Sequence, residues 1–195
     1  MRRPNVTLAV KRLIRDVVRR VPELAYVKPS RILVVAGEAR RNSRATIRPV
    51  PRGHRRGGRA QPLVRVKGRE ILYVITLRPL WFLASTPEQR IATILHELYH
   101  ASTRFDGTLH RGRRHSRLPL SAYNQKIRRL LRRYLAVAPE GVLAPFARDG
   151  EVRARMWLER PGPAREDDGA ARRVYTEREL FYGLARLRTF RRRLN

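Results

Sequence analysis

Residues 85–102, STPEQRIATILHELYHAS, contain a helix start signal followed by a helical apolar pattern. Thr86 supplies an N-cap hydroxyl, Pro87 suits a first turn, and Gln89 stands where a capping box needs a reaching side chain. Ile91, Ile94, Leu95 and Leu98 recur at steps of three and four. The pattern predicts a helix from about Pro87 to Ser102, with that face in the core. The same helix carries HELYH, His96 to His100. Residues four apart differ by about 40° in azimuth, so both imidazoles leave one side of the helix. Two imidazoles on one side suit a zinc ion, with Glu97 between them as general base toward a water that the metal activates. By chance the motif arises in roughly one chain in a hundred of this composition. Two histidines on a merely structural helix are therefore the weaker reading.

A catalytic zinc needs a third protein ligand. The extended pattern HExxHxxGxxH would place Gly at 103 and His at 106, and the chain has Thr103 and Asp106. No glutamate follows Glu97 until Glu140, which disfavours a glutamate on a following helix. His110 and His115, in FDGTLHRGRRHS, remain. His115 is preferred because it lies near the next helix and would be held more firmly, and His110 stays open. His54, far upstream, reads as a solvated loop residue.

Composition narrows the chemistry further. The 195 residues hold no cysteine, which excludes disulfide scaffolds, thiolate zinc fingers, iron–sulfur clusters and a cysteine nucleophile. Apolar residues make up 42%, enough for a core. Lys and Arg number 45 against 16 Asp and Glu, a net charge of +29. That charge makes non-specific contact with DNA or RNA an expectation, although a uniform preference for arginine also fits genome composition. No stretch has the length and apolarity of a membrane span, and the N-terminus lacks the apolar region of a signal peptide. A cytoplasmic location is expected.

Around the central helix, residues 5–21 predict an amphipathic helix and 31–37 a buried strand, with 45–50 as its hairpin partner. PRGHRRGGR (51–59) reads as an exposed basic loop. EILYVITL (70–77) predicts a second strand, RPLWFLAST an apolar bend, 103–118 a polar loop and 119–137 a helix. Beyond Pro139 the pattern predicts a strand at 151–158, a loop at 160–169 and a final helix at 177–193, with Leu180, Leu184 and Leu187 inward. No internal repeats occur.

ILYVITL, LWFLASTPEQRIATILHELYHAS and FDGTLHRGRRHS, followed by a helix, resemble the SprT-like zincins. The closer similarity, over roughly residues 25–137, is to the phage-type metallopeptidase domain of bacteria, archaea and phages. The resemblance implies a zinc site from His96, His100 and a later histidine, matched best by His115, with Glu97 as general base. It also implies a small α+β fold: a short sheet packed on the HExxH helix, plus N- and C-terminal helices. Zincins place an edge strand above that helix to pair with substrate, and EILYVITL is the expected candidate. The oxyanion stabiliser stays open among Tyr99, Tyr123 and an arginine of 111–114. SprT-like relatives include a DNA–protein crosslink protease, but its cysteine-based zinc ribbon has no counterpart here.

The expectation is a zinc metallopeptidase of peptide or protein substrates, with the metallopeptidase domain at 1–137. Residues 138–195 are read as a C-terminal extension packed on it. The alternative is a basic nucleic-acid-binding protein, or a DNA-associated protease, whose metal site is structural or inactive.

Overall fold

The computed structural model describes residues 3–37, 43–50, 59–60, 63–113, 119–148, 150–158, 164–165 and 174–189. Helix α1 (Val6–Arg20) starts at Asn5, whose side chain accepts from the Leu8 amide at 3.0 Å. Val10, Leu13, Ile14 and Val17 are fully buried along one stripe. Two tight turns lead into β1 (Ile32–Ala36), buried at every position. Such a run suits a strand with parallel neighbours and both faces covered. Then come β2 (Ala45–Pro49), β3 (Arg59–Ala60), β4 (Leu63–Val66), β5 (Arg69–Glu70) and β6 (Tyr73–Leu77). Helices α2 (Pro79–Leu83), α3 (Pro87–His100), α4 (Leu120–Leu135) and α5 (Glu140–Ala147) follow. The C-terminal part holds β7 (Gly150–Trp157), β8 (Ala164–Arg165), β9 (Val174–Tyr175), α6 (Glu177–Leu180) and β10 (Phe181–Thr189).

This is an α+β fold around a five-stranded mixed sheet in the order β10-β7-β1-β6-β2. β1 runs parallel to both β6 and β7, while β2 and β10 are antiparallel edge strands. One face carries α1, α3, α4 and α5 over Ile32, Val34, Ile75 and Leu77. The other buries Leu33 and Val35 under Val64, Ile71, Tyr175 and Leu180. Those come from the small β5-β4-β9 sheet, its flanking residues and α6. No helix among the described residues is long and apolar enough to cross a membrane.

The capping box at Thr86 forms as expected, with Gln89 N donating to Thr86 Oγ1 at 3.2 Å and Thr86 N to Gln89 Oε1 at 3.1 Å. Other expectations need correction. Residues 70–77 are not one strand: Glu70 ends β5, and β6 begins at Tyr73. β6 is not an edge strand but lies between β1 and β2, so β2 pairs with β6 and not with β1. In place of a final helix over 177–193, α6 stops after Leu180 and β10 pairs along β7. The strand wins because β7 otherwise presents an unpaired edge. The expected arm at 51–59 lies largely outside the described residues.

Candidate metal centre

His96 and His100 leave α3 together, and their Nε2 atoms stand 3.2 Å apart. His100 Nδ1 lies 2.9 Å from the carbonyl oxygen of Arg113. A carbonyl only accepts, so that contact makes Nδ1 the protonated nitrogen and leaves the Nε2 lone pair facing His96. Tyr123, on α4, braces both rings: it stacks on His100 with centroids 5.2 Å apart and meets the His96 ring edge-on at 4.7 Å. Its hydroxyl donates to the His96 carbonyl at 3.1 Å and lies 3.4 Å from both nitrogens of His100. Burial, with Glu97 nearby, pushes the Tyr123 phenol far up, so it stays a donor.

Glu97 leaves the adjoining side of α3 and reaches β2. Only 7% exposed, it accepts from the Ile47 amide at 2.7 Å through Oε2. An amide given to Glu97 is not given to β6, so the Ile47 N–H faces the free edge of β2. Burial pushes the carboxyl up to about 8, only partly offset by the Ile47 hydrogen bond. A dication nearby would lower it again.

The chain after α3 doubles back. Ala101 bridges Leu109, Ser102 N donates to Thr108 O at 3.0 Å, and His110 N donates to His100 O at 2.9 Å. The reversal uses Phe105 and Gly107 at φ 50° and 82°. Tyr73 of β6 holds it, donating to Thr108 O at 2.7 Å and accepting from Gly107 N at 3.1 Å. Gly107 thus does the turning that a glycine at 103 does in the extended motif. Asp106 is spent inside the turn, accepting from the Thr108 hydroxyl at 2.7 Å and the Thr108 amide at 3.1 Å.

Arg113 closes the returning strand. It donates to the Tyr26 hydroxyl at 2.8 Å and the Tyr99 carbonyl at 3.3 Å, with its guanidinium 4.0 Å above the Tyr99 ring. Tyr99 is therefore part of a clasp. Sequence reasoning missed Ile47, Tyr26 and Tyr73, and held Arg113 only as one of the arginines of 111–114, because each reaches the site from a distant element or through a backbone group.

The structure brings His96, His100 and Tyr123 together, and sets Glu97 on the adjoining side. Among the described residues no group of three His, Asp or Glu gathers for a metal. His110 Nδ1 is buried and without a hydrogen-bond partner among those residues, yet His110 completes no such group. His115 and His54 lie outside the described residues.

Fold and site together make an α+β domain with a paired-histidine helix beside an edge strand. The family model described as "Putative phage metallopeptidase" matches residues 4–130, about two thirds of the chain, and the chain belongs to that family. The match spans α1 to most of α4, and so every residue of the site. No curated protein and no solved structure matches the chain. Membership of a metallopeptidase family implies a metal cofactor and a peptide or protein substrate.

The two histidines fit a metal. Imidazoles on one tetrahedral zinc at about 2.0–2.1 Å stand roughly 3.3 Å apart, close to the Nε2 separation here.

Proposed function

We propose that the protein is a zinc-dependent peptidase, with His96 and His100 holding the metal and Glu97 as general base. The observation that carries this is the facing pair of Nε2 atoms, one of them set by the Arg113 carbonyl. The third ligand is His115. It lies two residues beyond Arg113, and two residues of chain span at most about 7 Å. The proposal includes kinship with the SprT-like zincins, resting on the same motifs.

When bound, the zinc supplies Lewis acidity toward the scissile carbonyl and acidifies its water. Each side chain then has a task. His100 keeps its proton on Nδ1 and its lone pair on Nε2. Glu97 takes up and returns protons at its carboxylate, held in place by the Ile47 amide. Tyr123, neutral and braced, would turn its single O–H from the His96 carbonyl to the developing oxyanion. β2 lies at the sheet edge next to Glu97, so an extended peptide adds to it by strand pairing. Recognition through backbone groups gives little side-chain selectivity.

The test is elemental analysis of the wild-type protein and of His96→Ala, His110→Ala and His115→Ala, followed by peptide cleavage with Glu97→Gln. About one zinc per chain is expected, lost with His96 and His115 and kept with His110. Glu97→Gln should keep zinc and lose cleavage by about 10²–10⁴-fold. A folded wild-type protein that takes up no zinc, or a fully active Glu97→Gln, defeats the proposal.

A further inference from the structure

Between the N-terminal half of α1 and the β4–β5 hairpin lies a cavity of about 510 Å³, to which α3 contributes no lining residue. Lys11, Arg15, Lys67, Arg69 and Arg155 all line it, against one carboxylate, Glu177. Leu8, Val66 and Ile71 give it apolar wall. We propose that this cavity is a binding site for a phosphate-bearing ligand of nucleotide size. It stands apart from the peptidase reading and does not depend on it.

Two of the cations are fixed in place. Arg155 pairs with Glu177 at 2.6 Å and lies 4.5 Å above the Phe181 ring. Lys11 reaches the carbonyls of Pro29, at 2.6 Å, and Ile32. Glu177 offsets only one charge. Among the described residues, Arg15, Lys67 and Arg69 pair with no carboxylate. Five cations line this one concavity with a single carboxylate among them. Like charges held together in a partly desolvated space repel, and an anion relieves them. The stress is visible on Lys11, whose ammonium is pushed down to about 8 by burial, then by Arg15 and Arg155.

The rim is also built at a cost. Lys67 and Gly68 form the hairpin tip at φ 52° and 72°. A turn with positive φ at both central positions favours Asn-Gly, and a lysine first is strained. Strain kept to set a cation at the mouth of a basic cavity is what ligand binding would reward. The volume falls within the 300–1,000 Å³ that is about usual for small-molecule sites, and the apolar wall suits a base or similar group beside the phosphate.

The experiment titrates the full chain at low ionic strength with AMP, inorganic phosphate and a 5′-phosphorylated oligonucleotide, using calorimetry. It compares wild type, Lys67→Gly/Arg69→Gln and Arg15→Gln. Glycine relieves the φ at 67, and Arg15 is exposed, so both variants should melt no lower than wild type. AMP should bind saturably and about tenfold or more tighter than phosphate, and the double variant should weaken it by a similar factor. An oligonucleotide that binds tighter than AMP and weakens in the same variants identifies a strand end as the source. AMP as tight or tighter identifies a free nucleotide. No saturable binding by any of the three, equal affinity for AMP and phosphate, or full retention in both variants overturns the proposal.

Discussion

Tyr123 and Asp16 show what single side chains contribute here. In Tyr123→Phe the ring remains, so its stacking on His100 and edge contact with His96 survive. The hydroxyl bond to the His96 carbonyl is lost, and with it the donor proposed for the oxyanion. Zinc content should stay constant, stability should fall by about 1 kcal/mol, and kcat should drop about 10²-fold with little change in KM. Unchanged kcat would make Tyr123 a packing residue alone. Asp16 is 1% exposed, yet it sits on α1 among leucines and valines. It accepts from the Tyr134 hydroxyl at 2.9 Å and from Arg20 Nε at 3.0 Å, joining α1 to α4. Asp16→Ala would strand a buried hydroxyl, and urea unfolding should show a loss of about 2–3 kcal/mol.

At the scale of elements, local signals carry through and non-local ones do not. The capping box is local, and Thr86→Ala should cost about 1 kcal/mol in urea unfolding while leaving HELYH in place. α1, α3 and α4 were legible because three-to-four spacing, and for α3 its cap, belong to the helix itself. The pairing of His96 and His100 was legible for the same reason. β10 was not: Leu180, Leu184 and Leu187 fit a helical stripe, and only pairing with Val152 and Arg155 of β7 decides for a strand. The edge position of β2 is likewise set by which strand β6 meets on its other side, and no window of sequence holds that. α5 escaped notice because Pro139 and Pro145 bracket and interrupt its pattern. At the site, Tyr123 was one open candidate among several, and the tie from His100 to Arg113 runs through a backbone carbonyl that no motif records.

Across the whole molecule the dominant quantity is the charge of +29, and Lys11 is where it meets the interior. Burial, Arg15 and Arg155 lower the Lys11 pKa from 10.5 to about 8 in the folded state. Between those values the unfolded chain binds more protons than the folded one, so stability rises with pH across that window. Below about pH 8 both states are charged and the penalty stands in full. Near pH 10.5 the unfolded lysine also loses its proton and the penalty is gone. The difference in unfolding free energy between wild type and Lys11→Met cancels other titrations and isolates this one. It should be flat below pH 8 and then rise by about 1–3 kcal/mol toward pH 10.5. A bound phosphate group would favour the charged ammonium, so AMP should move the rise to higher pH. Denaturant midpoints at half-unit steps, with and without AMP, read both effects. A flat difference without AMP would mean that Lys11 carries no buried charge penalty. A rise that AMP leaves in place would mean that the ligand is held away from Lys11.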